Sequence, residues 1–294
     1  MKLSEVTKPN IVAPKTVKEL ILNYKTYGNY KNLAYKSQKD YDYYLSSIAM
    51  SPYGEKPLEY FSPVICDLLY QQTKQDNGLH SAKQLVGIFS VVYAFAQSKE
   101  WVTLNPWSLV KRAAPKPRDA VWTREEIEKV VTKAVELGET EVAKCISLLY
   151  DTGQRPGDVL SWTYNDLKKD EHGWYVEFRQ HKTGAKVCSS ISSTTCRLLG
   201  VGGDILGSQK LVGRTIPLDL FRTYFRRVCN EVGIPKTLQL RDIRRTAITE
   251  AGEASDDQIK AMSGHKNRAM LDTYSVATRK KSLAAFNVRN LNGE

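Results

Sequence analysis

The sequence predicts a mainly α-helical protein with a small antiparallel β-sheet, divided into two domains, and three observations carry that prediction. Apolar residues recur at three-to-four spacing through most of the 294 residues, the pattern of helices with one buried face. One pair of segments, Trp174 to Arg179 and Lys186 to Ile191, alternates in strand fashion on either side of Lys182-Thr183-Gly184-Ala185 and so forms a hairpin. Third, Lys111-Arg112-Ala113-Ala114-Pro115-Lys116-Pro117-Arg118 holds two prolines and four cations with nothing to bury, which makes it an extended linker. The expected layout is an N-terminal extension 1–14, a helical domain 15–110, the linker 111–118, and a second domain 119–294 with a tail 275–294.

Taken in order, the first domain should hold helices from Thr16 to Tyr27, Ala34 to Met50, Pro63 to Thr73 and Ser81 to Trp101. Gly28, Pro52-Tyr53-Gly54, Pro57 and Asn77-Gly78 break them apart. The second domain opens with Thr123 and Glu126 as a capping box and Trp122 with Ile127 as a hydrophobic staple, starting a helix that runs to about Leu137 before Gly138. Another, Glu141 to Asp151, ends at Gly153. After the hairpin come helices Leu218 to Val232, Asp242 to Ala251 and Asp256 to Met262, closed by Gly233, Gly252 and Gly264, the last with Ser255 and Gln258 as its capping box. A short helix near Ala269 to Tyr274 follows. The run Gly200-Val201-Gly202-Gly203 lacks the spacing of a dinucleotide-binding loop and is expected to be a plain connection.

Composition bounds the function. With 41% hydrophobic and 26% charged residues the chain is ordinary for a globular protein. No stretch approaches the roughly 18 apolar residues of a membrane helix, and no apolar run follows Met1-Lys2, so neither a membrane span nor a secretory signal is expected. The cysteines Cys66, Cys145, Cys188, Cys196 and Cys229 have no CxxC spacing, which argues against a disulfide framework or a zinc site and fits a reducing compartment. The last four are expected to be small buried residues. His80, His172 and His181 have no ligand spacing and are expected at the surface or in turns.

Charge is the remaining anomaly: 43 Lys+Arg against 32 Asp+Glu give +11, a surplus that points to a polyanionic partner. Residues 1–118 contribute +7, residues 119–294 only +4, yet 14 of the 16 arginines follow the linker while the lysines divide almost evenly. Lysine suits diffuse attraction to a phosphate backbone, whereas the planar arginine fork holds phosphate oxygens in fixed geometry. The first domain also holds 11 of the 16 tyrosines, interleaved with lysine as in Tyr24-Lys25, Tyr30-Lys31 and Tyr35-Lys36. Two readings stand: tyrosine hydroxyls and lysines on a nucleic-acid backbone, or core tyrosines beside solvated lysines.

Chemistry gathers in the second domain. In Asp151-Thr152-Gly153-Gln154-Arg155-Pro156-Gly157-Asp158, Gly153 stops one helix and Pro156 starts another, leaving Arg155 in a tight joint that Asp158 can brace. Leu240-Arg241-Asp242-Ile243-Arg244-Arg245 places Arg241 and Arg244 three apart on one helix face, with Arg245 turned aside by about 100°. Gly264-His265 follows, and Tyr274 stands nine residues beyond that histidine. Together these residues resemble the tyrosine recombinase (phage integrase) family. Its pattern is an arginine after a helix-ending TG, a lysine in a hairpin, H-x-x-R, GH and a tyrosine. Here the matching positions are Arg155, Lys182, Arg244, His265 and Tyr274, and Val102-Thr103-Leu104-Asn105-Pro106 is similar to the end of the family's core-binding domain. One position departs: Arg241 stands where the H-x-x-R histidine is usual, and arginine is never a base at ordinary pH.

The resemblance implies a C-shaped clamp on double-stranded DNA and metal-free, cofactor-free phosphoryl transfer. Tyr274 would attack a phosphodiester to form a 3′-phosphotyrosine and free a 5′-hydroxyl. Arg155 and Arg244, with His265, would hold the charged oxygens, Lys182 would protonate the leaving oxygen with its pKa drawn down by the arginines, and Arg241 would give a third phosphate contact or point elsewhere. It further implies four protomers on two duplexes, joined through a tail of roughly residues 282–292 docking on a neighbour, in the cytoplasm and on the nucleoid of a bacterial host, in the integration or excision of mobile DNA. Two rivals remain, a DNA-binding clamp that has lost strand exchange and a type IB topoisomerase-like relaxing enzyme. The short catalytic part beside a separate helical domain favours the recombinase.

Overall fold

The structure, a computed structural model, describes residues 12–114, 119–201, 209–213, 217–251 and 256–264, and the chain divides into two compact units, Met1–Lys116 and Pro117–Glu294. In the first, α1 (Val17–Tyr27) begins where Thr16 Oγ1 accepts from Glu19 N, and buries Val17, Leu20, Ile21 and Tyr24. Helix α2 (Tyr35–Ala49) adds Leu45 and Ile48. Helix α3 (Pro63–Ser98) starts with Ser62 as cap and proline at its first turn, and is interrupted at Gly78, where φ of 82° interrupts the helical path. Its first part runs on past Thr73 to that break, and its second part stops short of Trp101.

By length and mean hydropathy of 1.2 over its most apolar window, α3 could cross a membrane, which corrects the expectation that no stretch comes close; 44% of that window is buried inside the unit, as in a core helix. The core closes on Trp107. Asn105 Nδ2 donates to Ser90 O at 2.7 Å, and the single turn Pro106–Leu109 carries the indole between Phe61 and Phe89, with ring centroids 5.7 and 5.0 Å away.

The structure sorts the tyrosines of the lysine and tyrosine alternation into two groups. Tyr24, Tyr70 and Tyr93 are core, while Tyr27, Tyr35 and Tyr43 are exposed. Tyr30 and Lys25 both donate to Asp42 Oδ1, at 2.7 and 2.6 Å. Burial, reinforced by Asp42, pushes the Tyr30 phenol up to about 12. Burial opposes ionisation of Asp42, but the two donors hold its carboxyl below the ordinary value.

The second unit is built around α5 (Thr140–Thr152), whose Val142, Ala143, Cys145, Ile146, Leu148, Leu149 and Thr152 are buried. It packs on α4 (Arg124–Glu136), whose Thr123 and Glu126 make the expected capping box. One turn, α6 (Pro156–Val159), leads to a three-stranded antiparallel sheet in the order β1 (Leu167–Asp170), β2 (Gly173–Arg179), β3 (Lys186–Ser190). The register pairs Phe178 with Val187 and Val176 with both Ser189 and Leu167, so the apolar residues face one way. The remaining helices are α7 (Ser193–Leu199), α8 (Leu218–Glu231), α9 (Asp242–Glu250) and α10 (Asp256–Ser263). Trp122 fastens the start of the unit, its backbone N donating to Thr246 Oγ1 at 2.9 Å and its indole to Gln239 O at 3.2 Å.

Strand β1 and helix α7 go beyond the expected hairpin and helices. The cysteine expectation is half corrected: Cys145 and Cys229 are buried, but Cys196 is only partly so and Cys188 is exposed, because strand alternation turns it outward next to buried Val187. Burial pushes the Cys66 and Cys229 thiols up to about 12. The expected Ser255 and Gln258 capping box, the helix near Ala269 to Tyr274, Gly252, Gly202 and Gly203 and the tail lie wholly or partly outside the described residues.

Candidate active site

Helix α5 ends because Gly153 takes a left-handed conformation, φ 60°, in a place where a Cβ would stand 3.2 Å from Met262 Cε. Gln154 is then fully buried. Arg155 is extended, φ −75° and ψ 142°, as a residue before proline should be, and Pro156 takes the first helical position of α6. The Arg155 guanidinium donates through Nη1 to Gln180 Oε1 at 3.0 Å and pairs with Asp158 Oδ2 at 3.8 Å, leaving its side chain 27% exposed. Asp158 braces the joint as expected, and more: its Oδ1 accepts from His181 N at 3.1 Å, tying α6 to the hairpin.

Arg244, on α9, is 5% exposed. Its Nη1 donates to Gly153 O at 2.8 Å and to Gln154 Oε1 at 3.4 Å, and its Nη2 donates to Ser263 O at 3.0 Å. A buried guanidinium is tolerable only with such a set of acceptors, and these fix its plane. Arg155 and Arg244 are therefore brought into one hydrogen-bonded group, since Gln180 Nε2 donates to Gln154 Oε1 at 2.7 Å and so joins their acceptors.

Arg241 and Arg244 do not share surroundings, which corrects the expectation of one face. Arg241 is the residue before α9 and is exposed, lining an open surface hollow with Pro156, Arg222, Arg226 and Lys236, whereas the packed face of α9 takes Arg244 inward. Arg222 is paired with Asp219 and Arg226 donates to Leu238 O, but Arg241 has no hydrogen bond or ion pair among the described residues. Arg245 is turned aside as expected, 3.5 Å from Asp119.

Lys182 sits exposed in the turn of the hairpin. That turn is closed by Gly184 N to Gln180 O at 2.8 Å and Gln180 N to Ala185 O at 2.9 Å. Lys182 has no partner among the described residues, and its hairpin is joined to the arginines through Gln180 and Asp158. His181, His80 and His172 are exposed, as expected, with His181 Nε2 3.0 Å from Ser161 Oγ. His265 and Tyr274 lie outside the described residues. Gly264, directly before His265, is described: at φ 69° it ends α10, and any Cβ there would lie 2.6 Å from Gln180 Nε2. Among the described residues no group of three His, Cys, Asp or Glu could hold a metal ion.

Sequence reasoning missed Gln154 and Gln180, buried amides that carry no motif of their own. Their only signal is position, one directly before Arg155 and the other two residues before Lys182.

The second unit thus ties Arg155 and Arg244 into one hydrogen-bonded group with the base of the Lys182 hairpin and the end of α10. The model of the phage integrase family matches residues 120–281, and the chain belongs to that family of tyrosine recombinases. No curated protein sequence matches it. Solved structures share its fold. One is a lambda integrase dimer bound to a COC′ core site, 20% identical over 88% of this chain and 77% of that one, with a TM-score of 0.72. Another is a lambda integrase tetramer bound to a Holliday junction, 19% identical over 91% and 78%, TM-score 0.74. A third is the Tn1549 transposon integrase in complex with circular intermediate DNA, 14% identical over 93% and 99%, TM-score 0.72.

Proposed function

We propose that the protein is a site-specific recombinase that cuts and rejoins double-stranded DNA through a 3′-phosphotyrosine at Tyr274, integrating or excising mobile DNA. The observation that carries this reading is the binding of Arg155 and Arg244 into one hydrogen-bonded group with the hairpin that bears Lys182. Tyr274 gives up its phenolic proton to solvent water and attacks phosphorus; the Tyr Oη–P bond forms as the P–O5′ bond breaks, and Lys182 supplies the proton that the 5′ oxygen takes. Arg155 and Arg244, with His265, hold the charge on the non-bridging oxygens, where two fixed cations do the work often done by a metal ion. Bond energy is kept in the phosphotyrosine, so a second 5′-hydroxyl can reverse the step.

Arg241 serves as a further contact to the DNA backbone, which its exposure among Arg222, Arg226 and Lys236 supports. The +7 of residues 1–118 and the exposed Tyr27, Tyr35 and Tyr43 support a DNA-gripping role for the helical domain. The active assembly is four protomers on two duplexes, joined by docking of roughly residues 282–292 of the C-terminal tail on a neighbour, working in the cytoplasm on the nucleoid.

The test uses a duplex enriched from a random library by repeated binding to the protein. Two copies placed in direct repeat on a supercoiled plasmid should be exchanged to give two smaller circles. Relaxation of plasmids with and without the site would favour the topoisomerase reading, and binding with neither reaction the clamp that has lost its chemistry.

A further inference from the structure

Gln180 is 1% exposed, and its carboxamide makes every hydrogen bond open to it. Oε1 accepts from Arg155 Nη1 at 3.0 Å and from Thr183 Oγ1 at 2.6 Å. Nε2 donates to Gln154 Oε1 at 2.7 Å and to Ser263 O at 2.8 Å. The four partners belong to three separate pieces of chain: the joint after α5, the hairpin turn, and the end of α10 next to Gly264. From these contacts we infer that Gln180 is a positioning residue that sets the Lys182 turn in register with the Arg155 and Arg244 pair, so that proton delivery and phosphate binding meet at one phosphorus. This rests on the recombinase reading above.

Three features support it over a purely structural role. Gln180 opens the turn that carries Lys182, and its backbone makes both bonds that close that turn. Thr183, the residue after Lys182, reaches back to Gln180 through its hydroxyl, and Ala185 N donates to the same Thr183 Oγ1 at 3.4 Å, so the turn is held against the carboxamide from both sides. The arginines, in contrast, have anchors of their own. Arg244 keeps Gly153 O and Ser263 O, and Arg155 keeps Asp158. Loss of the Gln180 amide therefore displaces the lysine turn more than the arginines, and the defect should fall on protonation of the leaving oxygen. A displacement of about 1 Å in such a group can cost on the order of 100-fold.

Single-turnover cleavage of a nicked suicide duplex, built on the enriched sequence, tests this in two chemical forms. One has the ordinary 5′ oxygen at the scissile phosphate; the other has a 5′-bridging sulfur, whose thiolate leaves without a proton. Gln180→Leu should bind both duplexes within about threefold of wild type, cleave the oxygen form about 100-fold more slowly, and cleave the sulfur form within about tenfold of wild type. Thr183→Val, which removes the hydroxyl and its two bonds from a part-exposed turn, guards against misfolding of the first variant and should show the same selective loss at about tenfold. Adding Lys182→Met to Gln180→Leu should cost little more on the oxygen form, because both changes remove one step. Equal slowing on the two duplexes in both variants, or no slowing in either, overturns the assignment to Gln180. Wild type that cleaves neither duplex overturns the recombinase reading itself, and this inference with it.

Discussion

Arg244→Ala is expected to bring strand cleavage down by at least 1000-fold and to destabilise the C-terminal unit by about 3 kcal/mol. The two effects have separate causes. Removing the guanidinium takes the Arg244 donor from Gly153 O and leaves Ser263 O and Gln154 Oε1 to the Gln180 carboxamide, and an unsatisfied buried acceptor costs about 1–3 kcal/mol before water or repacking recovers part of it. On the proposed mechanism, removing its charge also takes away half of the fixed cationic pair that would hold the phosphate. Arg244→Lys separates them: an ammonium keeps the charge but cannot span acceptors on two segments at once, so stability should recover in part while cleavage stays at least 100-fold down. Thermal unfolding and single-turnover cleavage on the same preparations read the two effects. Cleavage that recovers in step with stability would mean Arg244 is a strut and not part of the site.

Arg155→Lys is expected to leave stability and DNA affinity unchanged and to slow cleavage by 100- to 1000-fold. The backbone at this position is set by Pro156 and by capping geometry rather than by the side chain, and the side chain is already part-exposed, so lysine fits without a cavity. Affinity survives because the charge survives and the remaining surplus is spread over the chain. The planar fork is what is lost, together with its bond to Gln180. A rate within tenfold of wild type at equal occupancy would show that charge alone suffices at this position.

Local patterns in the sequence were enough for most of the architecture. Capping residues such as Thr123 and Glu126, the helix stops at Gly153, Gly233 and Gly264, and the alternation of β2 and β3 each write a boundary into a few neighbouring residues. What stayed hidden depends on distant partners. Strand β1 is Leu-Lys-Lys-Asp with one buried residue, an edge strand that reads as a loop until β2 is beside it. Helix α7 is built of serine and threonine as much as of apolar residues, although Ser192 and Gly200 mark both its ends.

The site divides in the same way. Arg155, Lys182 and Arg244 were legible because each lies at a marked joint, turn or helix start. The different fates of Arg241 and Arg244 were not, since helical spacing gives an angle on a helix but not the depth at which its first turn is buried. The Gln154 and Gln180 pair was out of reach for a similar reason: its bonds join residues 26 and 83 apart, and no local period encodes such a link.

The central claim is that Tyr274 becomes joined to DNA. The direct measurement is to trap the protein on a nicked suicide duplex of the enriched sequence, digest the complex, and locate the nucleotide-bearing peptide by mass spectrometry. The account predicts a 3′-phosphate linkage on Tyr274 in wild type and no covalent complex from Tyr274→Phe, although the variant binds the duplex as tightly. A wild-type protein that binds the duplex and forms no covalent complex, or one linked through another residue, would contradict it.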